Sequence, residues 1–216
     1  MRPEAASDQA EAPAAAGTVS ETLGSRIRHQ REAAGLTVRG LAGRISVSAS
    51  LISQVERGRA TPSVATLWAI ANELAVPVGD LFADSDQLQR GRGNEAGPVQ
   101  LHDTRRVLTL EGGVRWERLT PDADDSVDFV YVVYPAGTES CRKDALARHG
   151  GKEYGYVISG TLGVQIGFDE YEVGPNCSIS FNAAVPHRLS AIGDEPVVAV
   201  WIVLNRTNDA RVESGS

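Results

Sequence analysis

VSASLISQVERGRATPS, residues 47–63, decides how the first half of the chain folds. Leu51, Ile52 and Val55 fall on one side of a helix that Ser48 caps and Gly58 stops. The opposite side carries Ala49, Ser50, Ser53 and Gln54, all short or hydrogen-bonding. Surface helices usually carry long charged residues there, so this face predicts close approach to a hydrogen-bonding partner.

The flanking sequence has the same short-helix punctuation. LGSRIRHQREAAG places Leu23, Ile27 and Ala34 on one face and ends at Gly35, a C-cap residue. Thr37 caps VRGLAGRI, with Leu41 and Ile45 four apart, and Ser46-Val47 breaks the chain before Ser48. Ser63 begins a helix whose buried stripe is Leu67, Ile70, Ala71 and Leu74. Pro77 ends it, and residues 78–82 close a last turn with Leu81 and Phe82 inward. Five short helices make an all-α domain over residues 21–83.

The pair 38–45 and 49–57, joined by a three-residue turn, has helix-turn-helix spacing. In that arrangement the second helix enters the major groove, with its first residues on base edges. Ser50, Ser53 and Gln54 offer donors and acceptors to bases, and Ala49 offers a methyl contact to thymine. Ser48 stands at the same helix start. Arg39, Arg57 and Arg59 lie near the helix ends, where phosphates would pass. Glu56 is read differently, as the partner of an arginine from a neighbouring helix.

Charge is distributed to match. The chain of 216 residues has net charge −7, yet residues 22–84 hold seven arginines against five acids, leaving +2 there and −9 for the remainder. Residues 1–20, rich in Ala, Pro, Glu and Ser, read as a disordered tail rather than a secretory signal. Residues 84–98 (DSDQLQRGRGNEAGP, up to Pro98) read as a linker and 207–216 as a second tail. No apolar run reaches membrane-spanning length, and two cysteines, Cys141 and Cys177, do not form a disulfide framework. A cytoplasmic protein without membrane contact is the expectation.

From Val99 to residue 206 the hydrophobic period changes to two. Candidate strands are 106–110, 114–119, 126–134, 154–159, 162–167, 170–173, 178–181, 187–191 and 197–204, separated by Gly, Pro, Asn and Asp turns. Many short strands at close spacing predict a sandwich or barrel. If Glu153 points inward, alternation sends Gly155, Val157 and Ser159 with it; if His187 does, so do Leu189 and Ala191. Trp116, Phe129, Tyr131, Phe181 and Trp201 read as core or pocket wall, and His29 and His102 as surface residues.

Two resemblances sharpen these readings. REAAGLTVRGLAGRISVSASLISQVERGRATPSVATLWAIANELAVPVGDLF resembles the lambda-repressor-like (Xre-type) helix-turn-helix domain, in its Leu36-Thr37 start, Leu41-Ala42, the Glu56-Arg57-Gly58 helix end and Pro62. Val38 replaces the family's glutamine, and Ser46 its turn glycine. ARHGGKEYGYVISG, followed by PHRL, resembles the cupin motifs in the spacing His149–Glu153–Gly160 and in the later Pro186-His187. This implies an all-β jelly-roll barrel with an axial pocket, to which His149, Glu153, Val157, His187 and Leu189 are assigned. Ala147 stands where the family's first histidine would be, and Ala191 where an asparagine often follows.

His149, Glu153 and His187 form a triad suited to a divalent metal, Fe, Zn, Mn or Ni. The alternative is a polar patch in which Glu153 and a histidine hydrogen-bond to each other. The order of parts resembles the Xre–cupin regulators, which implies a homodimer on an inverted-repeat operator in double-stranded DNA and a small-molecule effector in the barrel. The alternative function is a non-haem Fe(II) oxygenase or epoxidase of the cupin type.

Overall fold

Thr37, Ser48 and Ser63 each cap a helix. Their hydroxyls accept from the backbone N–H of Gly40 (2.9 Å), Leu51 (3.1 Å) and Thr66 (3.2 Å) respectively. The computed structural model describes residues 16–82, 97–124 and 126–204, with the side chains of the first helix from Leu23 on. Residues 1–15 of the expected N-terminal tail, the whole expected C-terminal tail and most of the expected linker lie outside those residues.

The N-terminal half holds α1 (Ala16–Ala33), α2 (Val38–Arg44), α3 (Ala49–Glu56), α4 (Val64–Glu73) and a 3-10 turn (Val78–Phe82). The fifth expected helix is therefore a single 3-10 turn. Helix α1 starts at Ala16, ahead of the expected boundary at 21. Alanine, the strongest helix former, stands at that start, so part of the stretch read as tail is helical. Ala34 lies past the end of α1 and is exposed rather than on the buried face.

Leu23, Ile27, Leu41, Ile52, Val55, Leu67, Ile70 and Ala71 form the core of this half. Gly24 lets α1 pass close over the end of α3, since a Cβ there would overlap the Val55 carbonyl. Ser46 adopts φ +57°, the left-handed conformation at the turn between α2 and α3.

Among the described residues the C-terminal half contains nine strands. These are β1 (Val107–Thr109), β2 (Arg115–Arg118), β3 (Val127–Tyr134), β4 (Lys152–Ser159), β5 (Thr161–Ile166), β6 (Asp169–Val173), β7 (Ser178–Asn182), β8 (His187–Ile192) and β9 (Val197–Leu204). All nine expected strands are present, within two residues at each end. Antiparallel pairing gives a six-stranded sheet, β1-β2-β3-β9-β4-β7, and a three-stranded one, β6-β5-β8. Trp116, Val130, Val132, Val157, Leu162, Val164, Leu189, Val197, Ala199 and Trp201 pack between them.

Along β4 the alternation that starts at Glu153 fails at the last residue. The register slips between Val157 and Ser159 in the β4–β9 pair, so Ser159 is exposed instead of pointing inward with Glu153 and Gly155. Phe129 and Tyr131 are half-buried and alternate with the buried Asp128, Val130 and Val132, which puts them on the outer face of the large sheet rather than in the core.

The two halves dock against each other. Ala65 N–H in the first turn of α4 donates to the Ser140 carbonyl (3.1 Å), and Glu111 N–H donates to the Pro62 carbonyl (3.0 Å). Gly79 N–H in the 3-10 turn donates to Asp128 Oδ1 on β3 (3.2 Å). No helix among the described residues is long and apolar enough to cross a membrane.

Candidate functional sites: a reading helix and a barrel triad

Helix α3 buries Ile52 and Val55 and turns its other side outward. Ser48, Ser50, Gln54, Arg57 and Arg59 are exposed, as is Arg39 on α2, while Ala49 and Ser53 are half-buried. Gln54 Nε2 donates to Ser50 Oγ (3.2 Å), an i,i+4 pair that holds the amide across the helix. Docking onto the barrel leaves this face free. Glu56 is held from behind, where Arg31 Nε and Nη2 meet its two oxygens at 2.6 and 2.9 Å. The hydrogen bond to Glu56 raises the Arg31 pKa above its ordinary value, and Arg31 Nη1 also donates to the Leu36 carbonyl (2.7 Å). This pair ties α1 to α3 and to the start of the α1–α2 turn.

In the barrel, His149, Glu153 and His187 come together, all buried, with one donor atom each inside a 4.8 Å span. Glu153 Oε1 lies 2.8 Å from His149 Nε2 and 3.1 Å from His187 Nε2. Its other oxygen accepts from Trp201 Nε1–H at 2.6 Å. Trp201 reaches it because residue 155 is glycine, where a Cβ would overlap the indole. Burial pushes the Glu153 carboxyl up, but its contacts with both histidines outweigh this and hold it down at about 2. Burial pushes His187 down, and the hydrogen bond and charge of Glu153 reverse this, so that its pKa is raised overall.

The histidine tautomers follow from their outer partners. His149 Nδ1 lies 3.0 Å from the Gly150 carbonyl, and His187 Nδ1 lies 2.9 Å from the Val185 carbonyl. A carbonyl only accepts, so each Nδ1 carries the proton and each Nε2 faces Glu153. His149 Nε2, though close to the carboxylate, makes no well-directed hydrogen bond. Two ring nitrogens and a carboxylate oxygen converging in this way fit a cation. Donors at about 2.1 Å from one metal, at right angles, stand about 3.0 Å apart, close to the observed 2.8 and 3.1 Å.

The pocket beside the triad is lined by Val64, Trp68, Trp116, Val132, Tyr134, Ser140, Ala147, Glu153, His187, Leu189 and Trp201. Leu189 is a wall residue as expected. Val157, fully buried between the sheets, and His149, covered by Trp68, do not line the pocket, contrary to the expectation. Ala147 leaves no fourth donor there. Sequence reasoning missed Trp68, which stacks on His149 with ring centroids 4.3 Å apart and planes at 14°. The signal was present: Val64 and Trp68 are an apolar i,i+4 pair lying off the Leu67–Leu74 stripe, a second face that needs its own cover.

Cys141 is buried, with its thiol pKa raised by burial, and Cys177 is exposed; both are free. His29 and His102 are exposed as expected, His102 pairing with Asp103 (3.0 Å).

Comparison with known proteins matches residues 22–83 to a helix-turn-helix domain and residues 130–203 to a cupin domain. An uncharacterised transcriptional regulator in the ATPase CF(0) region of Rhodospirillum rubrum is 42% identical over 73 residues, which are 34% of this chain and 65% of that protein. The HTH-type transcriptional regulator PuuR of Escherichia coli is 20% identical over 168 residues, 77% of this chain and 86% of its own. Among solved structures, an HTH_3 family transcriptional regulator from Vibrio cholerae superposes with a TM-score of 0.65 at 22% identity, covering 89% of this chain and 99% of that one. That likeness shows the fold, both domains in the same order.

Proposed function

We propose that this chain, which belongs to the Xre-type helix-turn-helix regulators with a C-terminal cupin domain, binds an inverted-repeat operator as a homodimer and senses a small molecule in its barrel. The observation that carries the reading is the outer face of α3. It is exposed, short-chained and hydrogen-bonding, on a helix whose inner face is locked by Ile52, Val55 and the Arg31–Glu56 pair. Gln54 and Ser50 read base edges, Ser53 and Ala49 fill in beside them, Ser48 fixes the helix start, and Arg39, Arg57 and Arg59 hold phosphates.

A second copy has a surface to meet. The outer face of the large sheet carries cross-strand rows of apolar residues: Phe129, Ile202 and Tyr154 in one, Tyr131, Val200 and Tyr156 in the next. Tyr154, Tyr156 and Ile158 are more than a third exposed. A continuous patch of this kind favours an isologous contact, which places two reading helices on successive major grooves about 34 Å apart.

In the barrel, His149, Glu153 and His187 would hold a divalent metal, with Trp201 fixing the carboxylate. Such a metal would bind and polarise an oxygen of the effector. The triad would also serve a non-haem iron enzyme, but the exposed, hydrogen-bonding face of α3 is a feature that such chemistry does not use, which favours the regulator.

A gel shift on the DNA upstream of the protein's own gene, run across a salt series with metal analysis of the same preparation, tests the reading. The regulator gives a shifted band that weakens steeply with salt, as counterion release requires. Stoichiometric iron with no shift would instead support the enzyme.

A further inference from the structure

The barrel pocket is not closed by the barrel. Two of its walls, Val64 and Trp68, belong to α4 of the DNA-binding half. Trp68 stacks on His149 and meets the edge of Trp116 at 6.0 Å between centroids. Beneath it the cavity is about 20 Å³, room for roughly one water and for no organic molecule. Nonetheless the pocket has unanswered polar groups. Trp116 Nε1 and the Tyr134 hydroxyl are buried side by side in its wall, near enough to interact but with no well-formed hydrogen bond to each other or to any other described residue.

We propose that Trp68 is a removable wall, so that an effector enters the triad pocket only when α4, and the helix-turn-helix domain with it, lifts from the barrel. The effector class follows from what would remain: a compact molecule with a flat apolar body, to lie between Trp116 and Trp201, and an oxygen acceptor for the Trp116 and Tyr134 donors. Effector binding and the docked arrangement then exclude each other. Because α4 packs in the same core as α2 and α3, displacing it moves the reading helices of a dimer relative to each other. This is a linkage between two sites through one two-state element. It rests on reading the pocket as the effector site.

The seam supplies its own reporters. The amides of Ala65 and Glu111 are hydrogen-bonded only across it, to Ser140 and Pro62, while Asp128 holds Gly79 at another point, four residues along β3 from the pocket residue Val132. Amide hydrogen exchange of the full-length chain is measured for the wild type, Asp128→Ala and Trp68→Ala, together with the rate of Co²⁺ loading. If the domain lifts as a unit, removing the charged Asp128 acceptor speeds exchange at both Ala65 and Glu111 about tenfold. Co²⁺ loading rises by the same factor, and amides within β3–β9 pairing keep wild-type protection. Trp68→Ala gives the same pattern, and Trp68→Phe is the milder form should alanine unsettle α4.

Unchanged exchange at Ala65 and Glu111 in Asp128→Ala, or Co²⁺ loading in Trp68→Ala at the wild-type rate, would overturn the proposal. Failure of every variant to bind Co²⁺ would end the metal reading of the triad, and the lifting wall would then stand or fall on the exchange rates.

Discussion

Gln54 and Glu56 lie two residues apart on α3 and serve opposite ends. Gln54 is exposed, its amide held by Ser50. Glu56 is gripped by Arg31, with both side chains nearly buried. Their substitutions should separate cleanly. Gln54→Ala leaves the melting temperature unchanged and flattens discrimination between operator variants by about 1–3 kcal/mol, the value of a bidentate amide–adenine contact. Glu56→Ala strands a buried guanidinium and costs about 3 kcal/mol of stability, while base preference in the surviving folded fraction is kept. Denaturant titration paired with competition binding reads both. A Gln54→Ala protein with wild-type operator preference would remove that amide from the base-reading set.

The capping residues Thr37, Ser48 and Ser63 were legible in the sequence because a cap is a local bond, three residues in reach. The triad was legible through motif spacing. Sequence marks Trp201 only as wall, because its bond to Glu153 joins strands 48 residues apart in sequence.

At the scale of elements, strand β4 shows what a single glycine position decides. Gly155 lies between Glu153 and Val157 on the inner face, and the Trp201 ring occupies the place of its missing side chain. Gly155→Ala is expected to push Trp201 off Glu153. The overlap should cost about 1–3 kcal/mol, and the carboxylate should lose its fixed orientation. Urea unfolding measures the first effect, and a weaker Co²⁺ affinity measures the second. Wild-type behaviour in both would mean that Trp201 does not position the triad.

Strand positions were readable because period-two patterning survives in a half-buried sheet. The bulge after Val157 was not readable, since a register slip is set by the β9 partner rather than by β4 itself. The sequence of α4 displays the stripe that packs its own domain, and its second face finds its meaning only with the barrel against it. A helix that serves two cores shows two apolar faces, and Val64 with Trp68 was that pattern.

At the scale of the whole molecule, the acidic barrel and the arginine-bearing helical half divide the work. In the proposed regulator the barrel would supply the pocket and the surface for a second copy, and the helical half the face for DNA. Ile202 sits mid-row between Phe129 and Tyr154 on the outer face of the large sheet. Ile202→Asp buries a charge in a two-fold contact and its copy opposite it. Light scattering across a dilution series should therefore show a monomer where the wild type is expected as a dimer, with DNA affinity falling alongside. A variant of unchanged mass would place the dimer contact elsewhere. What sequence could not supply at this scale was the docking, which depends on Ala65, Pro62 and Gly79 meeting residues of the other half.

Selection of bound sequences from a random duplex library by the full-length protein tests the central claim most directly. The account predicts an enriched inverted repeat, with half-site centres about one helical turn or a whole multiple of it apart, and loss of that enrichment when Ser50 and Gln54 are both replaced by alanine. Recovery of no enriched sequence, or of the same repeat by the double variant, would contradict it.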